Sequence, residues 1–69
     1  MELFQQKVIR EKIDLDDKIK NLTVFIDKDP LFKNLSEAEQ GRLRVQVLIM
    51  MSYSAILLSR IKVFGKEIG

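Results

Sequence analysis

The chain has 69 residues, 46% of them hydrophobic, and its 12 basic and 10 acidic side chains give a net charge of +2. It contains no cysteine and no histidine, which excludes disulfides, zinc sites of the usual Cys/His kind, and Ser-His or Cys-His nucleophile pairs. A chain of this length buries only about 60% of the surface that its unfolded form exposes. Since no disulfide can stabilise so small a core, we predict a small, non-enzymatic helical protein that self-associates. The net charge is far below that of a duplex-binding domain, so we do not expect it to bind duplex DNA.

No targeting or membrane segment is predicted. Met1 is followed by a mixed polar sequence rather than by the apolar region of a signal peptide. The most apolar stretch runs from Val45 to Leu58, and these fourteen residues are fewer than the roughly 20 that a bilayer core needs. We therefore expect a buried helix at this stretch and a cytoplasmic location.

The first part of the chain has the apolar spacing of an amphipathic helix. Apolar residues recur three and four apart, with one gap at Glu11 and Lys12, and neither Gly nor Pro occurs before Pro30. This pattern predicts a helix over about 3–27. Its apolar stripe consists of Phe4, Val8, Leu15, Ile19, Leu22 and Ile26. Acid-before-base pairs four residues apart should support the polar face, namely Asp14 with Lys18 and Asp16 with Lys20.

Pro30 is predicted to end this helix, because its ring clashes with a continuing helix and it has no N–H to donate. Asp29 then caps a short turn within residues 28–36. Three apolar side chains of this turn should fill the end of the core: Leu31, Phe32 and Leu35.

A second helix is predicted over about 37–64. Ser36 and Glu39 have the spacing of a capping box, and Gly65 is a plausible terminator. Positions four and three apart form its seam: Leu43, Val47, Met50, Ser54, Leu57, Ile61 and Phe64. The matched helix lengths and the short connection predict one all-α domain over 1–69, folded as an antiparallel two-helix hairpin.

The second helix carries more apolar residues than one partner helix can cover. Beyond the seam it has two further stripes, one of Leu48, Met51, Ala55 and Leu58 and one of Ile49, Ile56 and Val63. A helix that is apolar nearly all round must be buried nearly all round. We therefore expect an obligate homo-oligomer with this helix inside.

Both helices also carry a row of residues that recurs every seven positions. The rows are Glu39, Gln46, Tyr53, Arg60 and Glu67 in the second helix, and Phe4, Glu11, Lys18 and Phe25 in the first. Polar rows can fix the register of an assembly through interchain hydrogen bonds. They can also line a ligand site, where bases stack on aromatic rings and Lys pairs with phosphate. On the residues alone, the structural interpretation of both rows is the simpler one.

Residues along nearly the whole chain, about 4–64, form a pattern seen in a known family. In the first helix the pattern is Phe4-Gln5-Gln6-Lys7-Val8-Ile9, Glu11-Lys12, Leu15, Lys18, Leu22 and Phe25-Ile26. In the second it is Leu35-Ser36-Glu37-Ala38-Glu39-Gln40, Leu43, Gln46, Met50, Tyr53-Ser54, Leu57 and Arg60-Ile61. The sequence thereby resembles the phage anti-CBASS cyclic-oligonucleotide sponges and the related helical hairpin of a Thoeris anti-defence sponge.

The resemblance implies a homohexamer that sequesters second messengers in the host cytoplasm without cleaving them. Cyclic dinucleotides such as cyclic GMP-AMP would bind at one class of pocket between protomers, and cyclic trinucleotides at a second. It assigns Phe4 to base stacking and Lys18 to ligand binding in the first pocket, with Lys7 as a supporting donor. For the second pocket it suggests Arg60, Asn21 or Thr23, and Gln46. No cofactor or metal is expected. The alternative is a structural or protein-interaction oligomer with no nucleotide ligand.

Overall fold

The computed structural model describes residues 2–65, which form three helices. The first, α1, spans Leu3–Lys28, the second, α2, spans Pro30–Lys33, and the third, α3, spans Glu37–Lys62. The two long helices have 26 residues each and pack side by side, while α2 forms the connection. The result is a rod with Cα extents of 52 × 15 × 14 Å. The predicted all-α hairpin is therefore confirmed as an architecture.

The direction of packing follows from the contacts between the two long helices. Phe4 near the start of α1 meets Phe64 just after α3, with ring centroids 6.2 Å apart. Further along, Lys12 contacts Ser54. Residue numbers thus rise along α1 as they fall along α3, and the helices are antiparallel, as the short connection predicted.

The helix boundaries lie within two residues of the predicted ones. α1 ends at Lys28, and the carboxylate of Asp29 accepts a hydrogen bond from the backbone N–H of Leu31 at 2.9 Å, which caps α2. The hydroxyl of Ser36 accepts from the backbone N–H of Glu39 at 3.1 Å and so caps α3. α3 ends two residues before the predicted 64, and Gly65 follows with a φ of +85°, in the left-handed region that favours glycine.

Several local expectations are wrong. The carboxylate of Glu39 pairs with Arg42 at 2.8 Å instead of closing the capping box on Ser36. The predicted pair of Asp16 with Lys20 is replaced by one with Lys12 at 2.7 Å, because Asp16 also binds α3. The predicted Asp14–Lys18 pair is not among the ion pairs of the described residues, which are these two alone.

The core is a narrow seam between α1 and α3. Its buried members are Val8, Leu15 and Leu57, and Ile19, Met50, Ile61 and Phe64 pack against them half-buried. Leu57 has no exposed surface at all. Every residue of the seam predicted for α3 is buried or half-buried, so its four-and-three spacing identified the contact face correctly.

The closed end of the hairpin is filled by aromatic residues. Phe32 of α2 is buried and meets Phe25 edge-on at a centroid distance of 6.1 Å. The guanidinium of Arg44 lies 5.0 Å from the centroid of the same Phe32 ring. Leu31, expected to help fill this end, is exposed, because successive residues of a helix point about 100° apart and a single turn directs only one of them inward.

The outer faces of α3 remain exposed. The large apolar residues left in solvent on this helix are Val45, Leu48, Ile49, Met51, Ile56 and Leu58. The hairpin has an accessible surface of 5423 Å², whereas a compact monomer of 8.1 kDa exposes about 4,500 Å². One hairpin therefore cannot bury its own apolar surface.

By length and composition α3 also meets the criterion for a membrane span. An 18-residue window of Glu37–Lys62 is apolar enough and has few enough charges, and 11% of that window is buried within the hairpin. The expectation from the sequence counted only the fourteen residues from Val45 to Leu58 and therefore missed this window. The core helices of soluble proteins satisfy the same criterion, so this window alone does not distinguish a membrane-spanning helix from one covered by protein.

Candidate functional site

A groove of about 490 Å³ lies along the hairpin where α1 meets the middle of α3. We call it the α1 groove. Its lining residues are Lys7, Arg10, Glu11, Asp14, Leu15 and Lys18 from α1, and Tyr53 from α3. Charged residues, an aromatic ring and an apolar floor thus meet in one concave surface.

The helical repeat explains why α1 supplies so much of this surface. Residues three and four apart lie on one face of a helix, and the groove residues of α1 follow that spacing from Lys7 to Lys18. Leu15 is buried against α3 and forms the floor. Tyr53 stands at the opposite wall with its side chain partly exposed, so its ring is accessible from the groove.

The charges of the groove are available to a ligand. The three cations and two carboxylates leave one net positive charge. In the part of the chain that the structure describes, the ion pairs are Lys12–Asp16 and Glu39–Arg42, both outside the groove. The groove can therefore offer ammonium and guanidinium donors to an anionic group, and such charge-assisted hydrogen bonds are about twice as strong as neutral ones.

Two of the three residues predicted to bind a cyclic dinucleotide lie in this groove. Lys7 stands toward one end and Lys18 at the other. Phe4 does not line it; its ring packs edge-on against Phe64 at the open end of the hairpin. Phe4 and Lys18 are separated by fourteen positions, which correspond to about 21 Å along the helix axis. Within one hairpin Phe4 therefore does not share the groove with Lys18 and Tyr53, and the stacking role of Phe4 stays a prediction.

The four residues suggested for a cyclic trinucleotide are not brought together in one hairpin. Thr23 lines a groove of about 270 Å³ with Arg44, whereas Asn21 lines a separate depression on another side of α1. The amide of Gln46 contacts the sulfur of Met50 at 3.9 Å. Arg60 lies fourteen residues after Gln46, or about 21 Å further along α3. A site built from these residues needs several protomers, and their roles stay predictions.

Arg10 and Tyr53 are among the groove residues that were given no ligand role from the sequence. Arg10 lies one helical turn after Lys7, so its place on the same face was available from the spacing. Tyr53 was recognised as a member of a polar row in the second helix, but nothing in that row showed which part of α1 it would face. That information is in the register between the helices, which the Phe4–Phe64 contact fixes.

A second polar cluster crosses the seam outside the α1 groove. The ammonium of Lys12 donates to Asp16 at 2.7 Å and to the buried hydroxyl of Ser54 at 2.9 Å. Ser54 in turn donates to the other carboxylate oxygen of Asp16 at 2.5 Å. The hydrogen bonds from Lys12 and Ser54 lower the pKa of Asp16 below its ordinary value of 3.8. This cluster, which we call the seam triad, fills the gap in the apolar stripe of α1 and ties the two helices at one register.

The acidic residues that the structure describes do not form a metal site. The run Asp14-Leu15-Asp16-Asp17 does not bring three carboxylates together on one ion-sized site, and no such group exists elsewhere within residues 2–65. Its members have separate surroundings instead, with Asp14 in the α1 groove and Asp16 in the seam triad.

Comparison with known proteins identifies a family. The model of the family described as Sequestin matches residues 2–63, whereas no curated protein and no solved structure matches significantly. The matched range includes both long helices, the whole α1 groove and the seam triad. It agrees with the resemblance to sequestering sponges that the residues of the two helices show. Since the match extends over most of its length, the chain belongs to the Sequestin family.

Proposed function

We propose that this protein binds cyclic oligonucleotide second messengers and holds them without cleaving them, in the cytoplasm of a bacterial host during phage infection. The family name points to the sequestration of a ligand. The proposal that the ligand is a cyclic nucleotide rests on the α1 groove, where Lys7 and Lys18 lie on one surface with Tyr53. Proteins bind nucleotides through cationic side chains, which donate hydrogen bonds to the phosphates, and through aromatic rings, on which the bases stack.

Each part of the groove has a role toward such a ligand. The ammonium groups of Lys7 and Lys18 and the guanidinium of Arg10 donate to the phosphate oxygens of the ring. The ring of Tyr53 stacks on a base, a contact worth about 1–3 kcal/mol in other nucleic acid complexes. Leu15 gives the base or sugar an apolar floor. A cyclic ligand loses little conformational freedom on binding, which favours tight capture.

Sequestration then follows from mass action. A host effector responds to the free messenger, and a protein that binds the messenger tightly and in sufficient amount lowers that free concentration. No bond has to be broken. Intact ligand should therefore be recovered by chromatography after the complex is denatured by heat, and the appearance of linear products would show an enzyme instead.

We further propose that the hairpins assemble through α3 into a homo-oligomer, with a hexamer as the expected state. The exposed apolar residues of α3 would otherwise form a surface larger than soluble monomers usually tolerate. Assembly also supplies what one hairpin lacks. It allows Phe4 of one protomer to approach the groove of another, and it allows the dispersed set of Asn21, Thr23, Gln46 and Arg60 to converge for a cyclic trinucleotide.

The packing of α1 favours assembly over membrane insertion as the way to cover α3. α1 lies along α3 from Phe4 to the connection and carries charges on its outer face. If α3 crossed a bilayer, α1 would have to detach from the seam or enter with it, at a cost of about 2.5–3.5 kcal/mol for each Lys, Arg or Asp at the centre. Sedimentation should show an oligomer, and the protein should not float with phospholipid vesicles.

The binding proposal is tested by a thermal-shift panel of cyclic di- and trinucleotides, followed by calorimetry on two charge reversals. Lys18→Glu removes a donor from the groove, whereas Lys20→Glu makes the same change on α1 outside the groove. Because a hydrogen bond to a charged group contributes about 1.5–3 kcal/mol, we expect Lys18→Glu to weaken cyclic dinucleotide binding by at least about 10-fold. Lys20→Glu should change it less than about 3-fold, since salt screens distant exposed charges.

Two outcomes would contradict the proposal. If no cyclic nucleotide stabilises the wild-type protein, the polar rows act as register devices of a structural oligomer. If both reversals weaken binding equally, the ligand responds to the general charge of α1, and the groove is not its site.

A further inference from the structure

We infer that the α1 groove selects guanine over adenine and that the carboxylate of Asp14 is the selecting group, an inference that rests on the proposed function. The starting observation is that two carboxylates, those of Asp14 and Glu11, lie among the three cations of the groove. A surface built only to hold phosphates would be weakened by both, because they repel an anionic ligand. Their presence is explained if they bind a part of the ligand that donates hydrogen bonds.

Asp14 is free to do this. The sequence predicted that it would pair with Lys18, but among the described residues it forms no ion pair and no hydrogen bond through its side chain. It lies one helical turn from Arg10 on one side and from Lys18 on the other. A carboxylate with cations on both sides but bonded to neither can accept from a ligand whose phosphate those cations hold.

The position of Tyr53 places a base near this carboxylate. The next residue, Ser54, bonds to Asp16, which lies two positions after Asp14 on α1. Tyr53 is therefore level with the part of α1 that carries Asp14, and both line the same groove. A base stacked on the Tyr53 ring has its edge directed along the plane of the ring, toward the groove residues of α1. Glu11 lies about one turn further along and is the second, more distant acceptor.

Guanine and adenine present different edges to such a carboxylate. Guanine offers the N1–H and one N2–H side by side, and the two oxygens of an ionised carboxylate accept both. Adenine offers only the N6–H beside N1, which is an acceptor and repels the second oxygen. A bidentate pair of this kind discriminates between bases by about 10-fold or more. The groove should therefore favour cyclic dinucleotides that contain guanine.

Titration calorimetry with cyclic diguanylate and cyclic diadenylate tests the inference. The wild-type protein should bind cyclic diguanylate about 10-fold more tightly. Asp14→Asn should remove this preference, since an amide accepts through one atom and donates through the other, an arrangement that fits adenine. The expected change is a loss of about 10-fold for cyclic diguanylate and an equal or tighter affinity for cyclic diadenylate. Asp17→Asn, which removes a carboxylate outside the groove, should leave the ratio of the two affinities unchanged.

The other outcomes separate this inference from the proposed function. If Asp14→Asn raises the affinity for both ligands by the same factor, Asp14 only contributes negative charge to the groove. The inference that Asp14 selects the base would then be wrong, whereas the proposal of nucleotide binding would stand. Equal affinities of the wild-type protein for the two ligands would overturn the guanine preference in the same way. If the wild-type protein binds neither of these two ligands nor any other cyclic nucleotide of the thermal-shift panel, the proposed function itself fails.

Discussion

The two long helices have the same length and the same partner, yet they differ in how their apolar residues are distributed. α1 buries Gln5, Val8 and Leu15 on one face and directs most of its charges away from the seam. α3 buries Ser54 and Leu57, and its other faces are largely apolar and exposed. Each helix covers one face of the other, which leaves fewer large apolar side chains exposed on α1 than on α3.

This difference suggests that the helices have different tasks. Six of the seven residues that line the α1 groove come from α1, so this helix supplies the ligand chemistry. α3 contributes Tyr53 to the groove and otherwise presents the surface on which we propose the protomers assemble. The same seam serves both tasks, because it fixes how Tyr53 stands against α1 and which faces of α3 remain outside.

The sharpest test of this division places the same substitution on each helix. Ile56 of α3 is 60% exposed and Ile13 of α1 is 49% exposed, so changing either to Glu is tolerated within one hairpin. In the assembly, Ile56→Glu would bury an unpaired carboxylate, which costs several kcal/mol per subunit. We expect Ile56→Glu to dissociate the oligomer and Ile13→Glu to leave it intact, as measured by sedimentation velocity at equal protein concentration.

The same measurement can contradict the assembly in two ways. A wild-type protein that sediments as a folded monomer would show that α3 tolerates its exposure. Dissociation by both substitutions would show that α1 shares the interface, and the contrast between the helices would then not hold.

A smaller effect is expected from the seam that the two helices share. Leu57→Ala removes the fully buried side chain of the core and should lower the free energy of unfolding by about 3 kcal/mol, the lost transfer energy plus the cavity that remains. Leu31→Ala makes the same truncation at a side chain that is 61% exposed and should cost less than about 0.5 kcal/mol. Urea denaturation at one fixed protomer concentration measures both, since the stability of an oligomer depends on concentration. Equal losses would mean that the described seam is not the core.

Much of the fold was predictable because it depends on local rules. Pro30 fixed the end of α1, Ser36 fixed the start of α3, and the four-and-three spacing identified the seam of α3. These features follow from capping and helical periodicity, which involve only neighbouring residues. The excess of apolar residues on α3 was also visible, since it requires only a count of stripes.

The features that depend on contacts across the hairpin were not predictable in the same way. The four-residue spacing predicted an ion pair between Asp16 and Lys20. In the folded chain Asp16 instead accepts a hydrogen bond from Ser54 across the seam and forms its ion pair with Lys12. The gap in the apolar stripe at Lys12 holds a polar contact to α3, which the spacing alone did not indicate. For the candidate site, the resemblance named Lys7 and Lys18 as ligand-binding residues, but the facing Tyr53 became evident only from the register of the two helices.

The smallest expected effect is a pH dependence of the seam triad. The hydrogen bonds from Lys12 and Ser54 lower the pKa of Asp16 in the folded protein below the 3.8 of an unperturbed aspartate. A carboxyl whose pKa is lower in the folded state stabilises the fold above its unfolded pKa, and this stabilisation is lost as the pH falls through the folded value. We therefore expect the difference in unfolding free energy between the wild type and Asp16→Asn to be constant near pH 7 and to shrink below about pH 4. Asp17→Asn, which removes a neighbouring carboxylate without touching α3, controls for the change in net charge; a difference for Asp16→Asn that stays constant down to pH 2 would show that the triad does not depend on the charge of Asp16.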